Sequence, residues 1–201
     1  MNTFEPELIG IIMGDGNLWT NNRKYEITIT GNPKDKDYLD KINNEMLNMN
    51  FNPYYRKRGR GLRLTVYSKR LFEHLTKTIG LKHGKEKNTT HIPNKILENR
   101  ESQISFVRGL FDTDGSVFTS NKGGIQNYPT IEITNENKLL LDDVKDILCQ
   151  EGFRVNMRKS NSNTYKLAMA GYKMIDMWKR KIGSSHPRKE AKIDTILKRY
   201  C

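Results

Sequence analysis

The residues best equipped for chemistry are Asp15 and Asp114, each standing one place before a glycine at the end of an apolar run. The first run reads Leu8-Ile9-Gly10-Ile11-Ile12-Met13-Gly14-Asp15-Gly16, and the second Val107-Arg108-Gly109-Leu110-Phe111-Asp112-Thr113-Asp114-Gly115. If both runs are helices packed through their glycines, the two carboxylates arrive together at one end of the seam. Like charges held that close repel unless a cation lies between them. The spacing therefore points to metal-dependent chemistry at an oxygen-ligated site, for which Mg²⁺ is the natural ion.

The balance of charge indicates the substrate. The chain has 201 residues, with 35 Lys and Arg against 23 Asp and Glu, a net charge of +12. Such an excess favours a polyanionic partner, nucleic acid first. The longest apolar stretch, Leu8 to Met13, is far short of the roughly 20 residues that cross a bilayer. Glu5 and Glu7 stand where a secretory leader would be basic. The expectation is an intracellular protein with no membrane association. Cys149 and Cys201 can build neither a disulfide framework nor a zinc site, and Cys149, within an apolar helical stretch, is expected to pack in the core. His74, His83, His91 and His186 show no metal-ligand spacing.

An internal repeat arranges the elements that must position the two acids. Each acidic run is followed by an alternating strand, Tyr25 to Thr30 and Thr130 to Thr134, whose isoleucines (Ile27 and Ile29, Ile131 and Ile133) share one face. A helix follows each, opened by Asn32-Pro33 or by Asn135, with core stripes Leu39, Ile42, Met46 and Leu141, Val144, Leu148. Basic hairpins come next, Tyr54 to Tyr67 and Met157 to Met169. Amphipathic helices then carry Leu71, Leu75, Ile79 and Met174, Trp178, Ile182, ending at Gly80 and Gly183. The fold expected is α+β, a pseudo-twofold duplicated αββαββα unit with two four-stranded antiparallel sheets forming a saddle. Residues 1–98 and 99–201 are the two repeats, joined by a loop near Asn99 to Ser102.

These features resemble the LAGLIDADG homing endonucleases of the single-chain, two-motif type, over essentially the whole chain. The nine-residue motif falls on Leu8 to Gly16 and Val107 to Gly115, with its functional eighth-position acid at Asp15 and Asp114. The sixth-position acid is present as Asp112 but is Met13 in the first copy. The resemblance implies a sequence-specific double-strand DNA endonuclease, a monomer that acts on a long asymmetric site and is encoded within an intron or intein. It implies Mg²⁺ held by Asp15 and Asp114, with backbone carbonyls near Gly14 and Thr113 as further ligands. Mn²⁺ would substitute, and Ca²⁺ would support binding without cleavage.

The family also places a lysine after the amphipathic helix, near the attacking water. Lys85 and Lys189 match by spacing, with Lys87 competing for the first place. A polar residue ends the first long strand; Asn135 fits, but Gly31 stands in the other copy, so the two pockets are expected to be unequal. DNA contacts are expected from the sheets through Thr28, Thr30, Arg56, Arg58, Arg60, Arg63, Tyr67, Arg158, Lys159 and Lys166, since a two-stranded ribbon fits the major groove.

Three other readings compete. Phe111 to Val117 resembles the haloacid-dehalogenase nucleophile motif, with Asp112 as nucleophile and Asp114 as acid–base residue, but Ile104, Val107, Leu110 and Phe111 follow helical spacing instead of a strand. A calcium loop fails because Val117 occupies the obligatory glycine position. An RNA-splicing maturase or a non-cleaving DNA-binding relative on the same scaffold is the remaining alternative.

Overall fold

The computed structural model describes residues 4–59, 61–84, 89–160 and 163–199. At its centre lie α1 (Glu5–Asp15) and α5 (Arg100–Asp114), which form the most extensive helix–helix contact of the molecule. Helix α1 starts with Pro6 in its first turn and acidic residues against the helix dipole, and it is buried on every side from Leu8 to Met13. A helix apolar all round belongs inside a core. In α5, Asn99 is the N-cap, its side chain accepting from Ser102 N at 3.1 Å. The loop expected at Asn99 to Ser102 is therefore the first turn of a helix. The connection between the copies lies upstream, where Thr90 and Ile92 bond to the second half through Asn137 and Asp143.

Glycine sets how closely the central helices approach. A Cβ on Gly10 would stand 2.2 Å from the Phe106 carbonyl oxygen, and one on Gly109 would stand 2.1 Å from that of Glu7. No side chain fits either place. Salt bridging reinforces the seam, with Arg108 Nη1 donating to Glu7 Oε2 at 3.0 Å.

The first sheet comprises β1 (Gly16–Asn21), β2 (Lys24–Gly31), β3 (Tyr54–Arg58) and β4 (Gly61–Tyr67) in the order β1-β2-β4-β3; α2 (Lys36–Asn48) packs on it, as does α3 (Lys69–Glu73), continued by a wider turn to Thr78. After the short α4 (Asn94–Leu97) and α5, the pattern repeats. Strands β5 (Gly115–Lys122), β6 (Ile125–Asn135), β7 (Asn156–Lys159) and β8 (Tyr165–Ala170) lie in the order β5-β6-β8-β7, covered by α6 (Lys138–Gln150) and α7 (Tyr172–Lys181). All pairings are antiparallel. Registers match too: Gly16 pairs with Ile29 as Gly115 pairs with Ile133, and Arg56 with Arg63 as Arg158 with Lys166.

Alternation drives Leu18, Ile27, Ile29, Leu64 and Val66, and likewise Val117, Ile131, Ile133, Leu167 and Met169, into one continuous core. Gly80 and Gly183 both take positive φ, 90° and 70°, as helix-terminating residues do. The cap of α6 is Asn137, not Asn135. Cys149 is exposed on α6, so the expected core packing does not hold; the helix turns its leucine stripe inward and this position outward.

A final helix, α8 (Pro187–Lys198), stands at the place where the first half has only the short α4 among the described residues. Its start bridges the halves. Arg188 Nη1 bonds Asp35, the His186 ring stacks on Tyr38 at 4.7 Å, and Lys41 Nζ donates to the Ser185 carbonyl at 3.2 Å.

Candidate active site

Both α1 and α5 end at the saddle's floor, where a strand begins at once: Gly16 and Gly115 are extended, and each backbone N–H still closes its helix by donating to Ile12 or Phe111. This abrupt exit leaves Asp15 and Asp114 as the last helical residues, facing the sheets. Their proximity follows from Gly14. A Cβ there would lie 2.1 Å from Thr113 Oγ1 and 3.3 Å from Asp114 Cγ. The Asp114 carboxyl thus lies near the residue next to Asp15.

Asp114 is held by Asn135, whose Nδ2 donates to its Oδ2 at 2.5 Å, while Asn135 Oδ1 accepts from the Asn137 amide at 2.7 Å. Register places Gly31 at the corresponding position in the first sheet, because Gly31 pairs with Leu62 where Asn135 pairs with Tyr165. A cleft beside Asp15 is lined by Thr30, Gly31, Asp112, His186 and Lys189.

Lys189 enters from α8 and is deeply placed. Its Nζ donates to the carbonyls of Phe111 at 2.7 Å, Asp112 at 2.9 Å and Thr113 at 3.4 Å, at the end of α5. A cation there also meets the negative end of the helix dipole. Burial pushes the ammonium down to about 8, against the pull of Asp112, Asp114, Asp15 and Asp35. The same Thr113 carbonyl expected as a metal ligand is thus shared with Lys189 through its longest bond.

The sixth-position acid has a role that sequence reasoning missed. Asp112 is buried, accepting from Ser184 Oγ at 2.5 Å and from the Ser185 amide at 2.8 Å. Burial pushes its carboxyl up to about 7, while Ser184, Ser185 and Lys189 pull it down. It anchors the turn that delivers Lys189. The available signal was a carboxylate on the core-facing stripe where the first copy has Met13. Tyr38 was missed as well: its buried hydroxyl has no hydrogen-bond partner among the described residues, and burial, then Asp112, raise its pKa well above the usual range.

Of the expected basic face, Thr30, Arg56, Arg63 and Tyr67 share the side of the first sheet opposite the core, as Arg158 and Lys166 do in the second. Arg58 is exposed at the hairpin end. Two assignments change, those of Thr28 and Lys159. Thr28 is buried and its hydroxyl donates to Glu26 at 2.9 Å, so it is not open to a base. Lys159, next to Arg158 in an extended strand, points to the other face, its Nζ over the Tyr165 ring. Lys166 and Arg158 are both paired with buried Glu132, at 2.7 and 3.3 Å. Arg60, Lys85 and the competing Lys87 lie outside the described residues.

Among the described residues, no group of three or more His, Cys, Asp and Glu converges on a metal position. Two carboxylates and nearby carbonyls suit Mg²⁺ nevertheless. That ion is commonly held by one or two protein carboxylates and completed by water and substrate phosphate. Also among the described residues, no helix is long and apolar enough to cross a membrane.

Residues 101–183 match the family model of the LAGLIDADG-like domain. The homing endonuclease I-ApeI of Aeropyrum pernix is 26% identical over 200 residues, covering 96% of this chain and 86% of that protein. An uncharacterised protein of Methanocaldococcus jannaschii is 26% identical over 165 residues, 79% of this chain; the match spans only 58% of that relative's length. Among solved structures, I-DmoI in complex with DNA and Ca aligns over 96% of this chain and 97% of its own, with a TM-score of 0.68 and 22% identity. That likeness is one of fold. Other I-DmoI structures contain DNA with Mn, or its target DNA in the presence of Mg.

Proposed function

We propose that this chain, a LAGLIDADG protein by the sequence of its second half and by its whole fold, is a sequence-specific double-strand DNA endonuclease dependent on a divalent metal. The observation that carries this reading is the closeness of the Asp114 carboxyl to Gly14, where an added Cβ would lie 3.3 Å from Asp114 Cγ, so that two carboxylates from separate helices share one seam.

In this reading Asp15 and Asp114, with the carbonyls of Gly14 and Thr113, hold Mg²⁺ or Mn²⁺. A bound ion would lower the pKa of a ligated water and neutralise charge building on the scissile phosphate. The chain's own residues prepare the site. Asn135 fixes one Asp114 oxygen and so sets the orientation of the carboxylate toward the seam. Lys189 holds a positive charge beside the acids and keeps the end of α5 ordered. Gly31 stands at the register position where the second half has Asn135, so the two strands meet unequal sites. The basic faces around Arg56 and Arg63, and around Arg158 and Lys166, lie along the major groove of a long asymmetric site, bound by one monomer whose two sheets act as half-site readers.

The test uses a duplex selected from a randomised library by binding to the protein in Ca²⁺, followed by cleavage of that duplex in Mg²⁺. Asp15→Asn and Asp114→Asn should each lower double-strand cutting about a thousandfold, a loss of the size expected when transition-state charge goes unstabilised, while binding and folding persist. Ca²⁺, larger and looser in coordination, should support binding with little cutting. Full cutting by either variant would remove the carboxylates from the mechanism. A wild type that binds the duplex yet never cuts it would identify a non-cleaving relative.

A further inference from the structure

The two sheets share their register but not their outer ends. On the face away from the core, Trp19, Glu26 and Tyr67 form a row across β1, β2 and β4, because Glu26 pairs with both Trp19 and Tyr67. Tyr54 joins from β3, its ring centroid 5.8 Å from that of Tyr67. These three aromatics are among the most exposed large apolar side chains of the described structure, Trp19 at 42%, Tyr54 at 37% and Tyr67 at 51%. The matching positions of the second sheet are Phe118, Asn156 and Ala170, fixed by the pairs Phe118–Thr130, Thr130–Ala170 and Asn156–Ala168. An exposed aromatic group thus marks one end of one sheet.

The group is organised. Arg56 Nη1 donates to Tyr67 Oη at 3.2 Å and lies 3.8 Å from Glu26. The rings therefore sit beside a fixed guanidinium, on the same face as Thr30 and Arg63. This surface is continuous with the proposed DNA face, and its neighbours carry the charge that suits a phosphate backbone. In the major groove, which accepts a ribbon of this kind, the apolar feature of a base pair is the thymine 5-methyl group. The minor groove offers none.

We infer that the outer end of the first sheet is a thymine-reading patch, in which Trp19, Tyr54 and Tyr67 pack on thymine methyl groups in one arm of the target duplex. The inference rests on the reading that duplex DNA lies along the sheets. A one-sided patch also gives the protein a preferred orientation on an asymmetric site, since the second sheet has Phe118 alone as an aromatic at the matching positions, beside Asn156 and Ala170.

Replacing thymine by deoxyuridine removes the methyl and leaves pairing unchanged. The test measures affinity in Ca²⁺ for the selected duplex, with deoxyuridine placed in one arm or the other. Each contacted thymine should contribute about fourfold, the equivalent of one buried methyl group. The weakening should be confined to one arm. In Trp19→Ala/Tyr67→Ala, whose substitutions lie on the surface, overall affinity should fall and the sensitivity to deoxyuridine should disappear. Trp19 provides a second readout. It is exposed whereas Trp178 is fully buried, so acrylamide quenching should be suppressed by the duplex in the wild type and in Tyr67→Ala.

Indifference to deoxyuridine in both arms, or equal sensitivity in the double variant, overturns the patch while leaving the nuclease reading intact. Loss of dimerisation in the double variant, with the affinity for DNA unchanged, would assign the surface to a second copy of the chain and overturn it too. Failure of the wild type to bind any duplex would remove both readings together.

Discussion

Asn135 and Asp114 are joined by a hydrogen bond of 2.5 Å, while the residue at the place of Asn135 in the other sheet is Gly31, which has no side chain to offer Asp15. The pseudo-twofold axis therefore relates two similar scaffolds with dissimilar pockets. An amide that fixes one carboxylate oxygen restricts the geometry of the second, which is the more valuable where a cation must be shared.

On this basis the strand served by the Asp114 pocket is cut first. A supercoiled target should pass through a nicked form before it becomes linear, and strand-specific labels should show one strand leading. Asn135→Ala removes a charge-assisted hydrogen bond and should slow the leading strand about tenfold, leaving the other nearly unchanged. Wild-type strands cut at equal rates, with no nicked species in the time course, would contradict the assignment.

The central seam gives a stability prediction. Gly10→Ala and Gly109→Ala each drive a methyl into a backbone carbonyl at about van der Waals overlap, 2.2 and 2.1 Å, and neither neighbour is a flexible side-chain tip. Each should cost about 3 kcal/mol or more by forcing the helices apart. Urea unfolding measures it directly. A loss below about 1 kcal/mol would show that the seam can open without penalty.

What the sequence disclosed was whatever repeats or alternates. Ile27 and Ile29 announced their strand, Gly10 and Gly109 the close helices, and Gly80 and Gly183 the ends of their helices, because periodicity and positive φ are local properties. Residues whose meaning depends on a distant partner stayed hidden. Nothing near Glu132 in the chain reveals that it takes both Lys166 and Arg158. Likewise Ser184 and Ser185 read as a loop until Asp112 is seen beneath them. The helix α8 was overlooked for a different reason: it breaks the repeat, and its function is to bind the halves through Asp35, Tyr38 and Lys41.

That junction should be sensitive to acid. His186 is buried against Tyr38, and burial, with Lys189 adding to it, lowers its pKa from 6.5 to about 4. In the unfolded chain it protonates near 6.5, so the unfolded state binds the extra proton first. Its contribution is present above about pH 6.5 and is lost as the pH falls toward 4. His186→Phe keeps the ring stack and has nothing to protonate. Its stability should equal or exceed that of the wild type at pH 5, and the difference between the two should shrink at pH 7.5. Chemical denaturation at the two pH values decides this, and an unchanged difference would place the acid response elsewhere.

Lys189 performs two tasks that substitution can separate. As a cap it satisfies carbonyls at the end of α5, and as a charge it stands beside Asp112, Asp114 and Asp15. Lys189→Met fills much of the same volume without donors or charge, so the Asp112 carbonyl loses the Lys189 bond and that of Phe111 keeps only the Gly115 N–H. The cost should be about 1–2 kcal/mol, with the buried cation's own desolvation partly offset by its removal. Lys189→Arg keeps the charge and the donors but adds bulk, and should recover most of that stability. Cutting should distinguish the tasks. If the cation's role is to order the helix end, activity should follow stability, with the arginine variant close to wild type. If the amine itself works at the reacting water, both variants should cut at least tenfold more slowly, despite the restored fold in one of them. Because three N–H bonds to carbonyls require the protonated form, we expect the first outcome, with wild-type activity declining above about pH 8 as the ammonium is lost. A strand-resolved pH profile of the wild type and both variants measures this, and a rise in activity through pH 8 that is absent from the arginine variant would instead make Lys189 a proton acceptor.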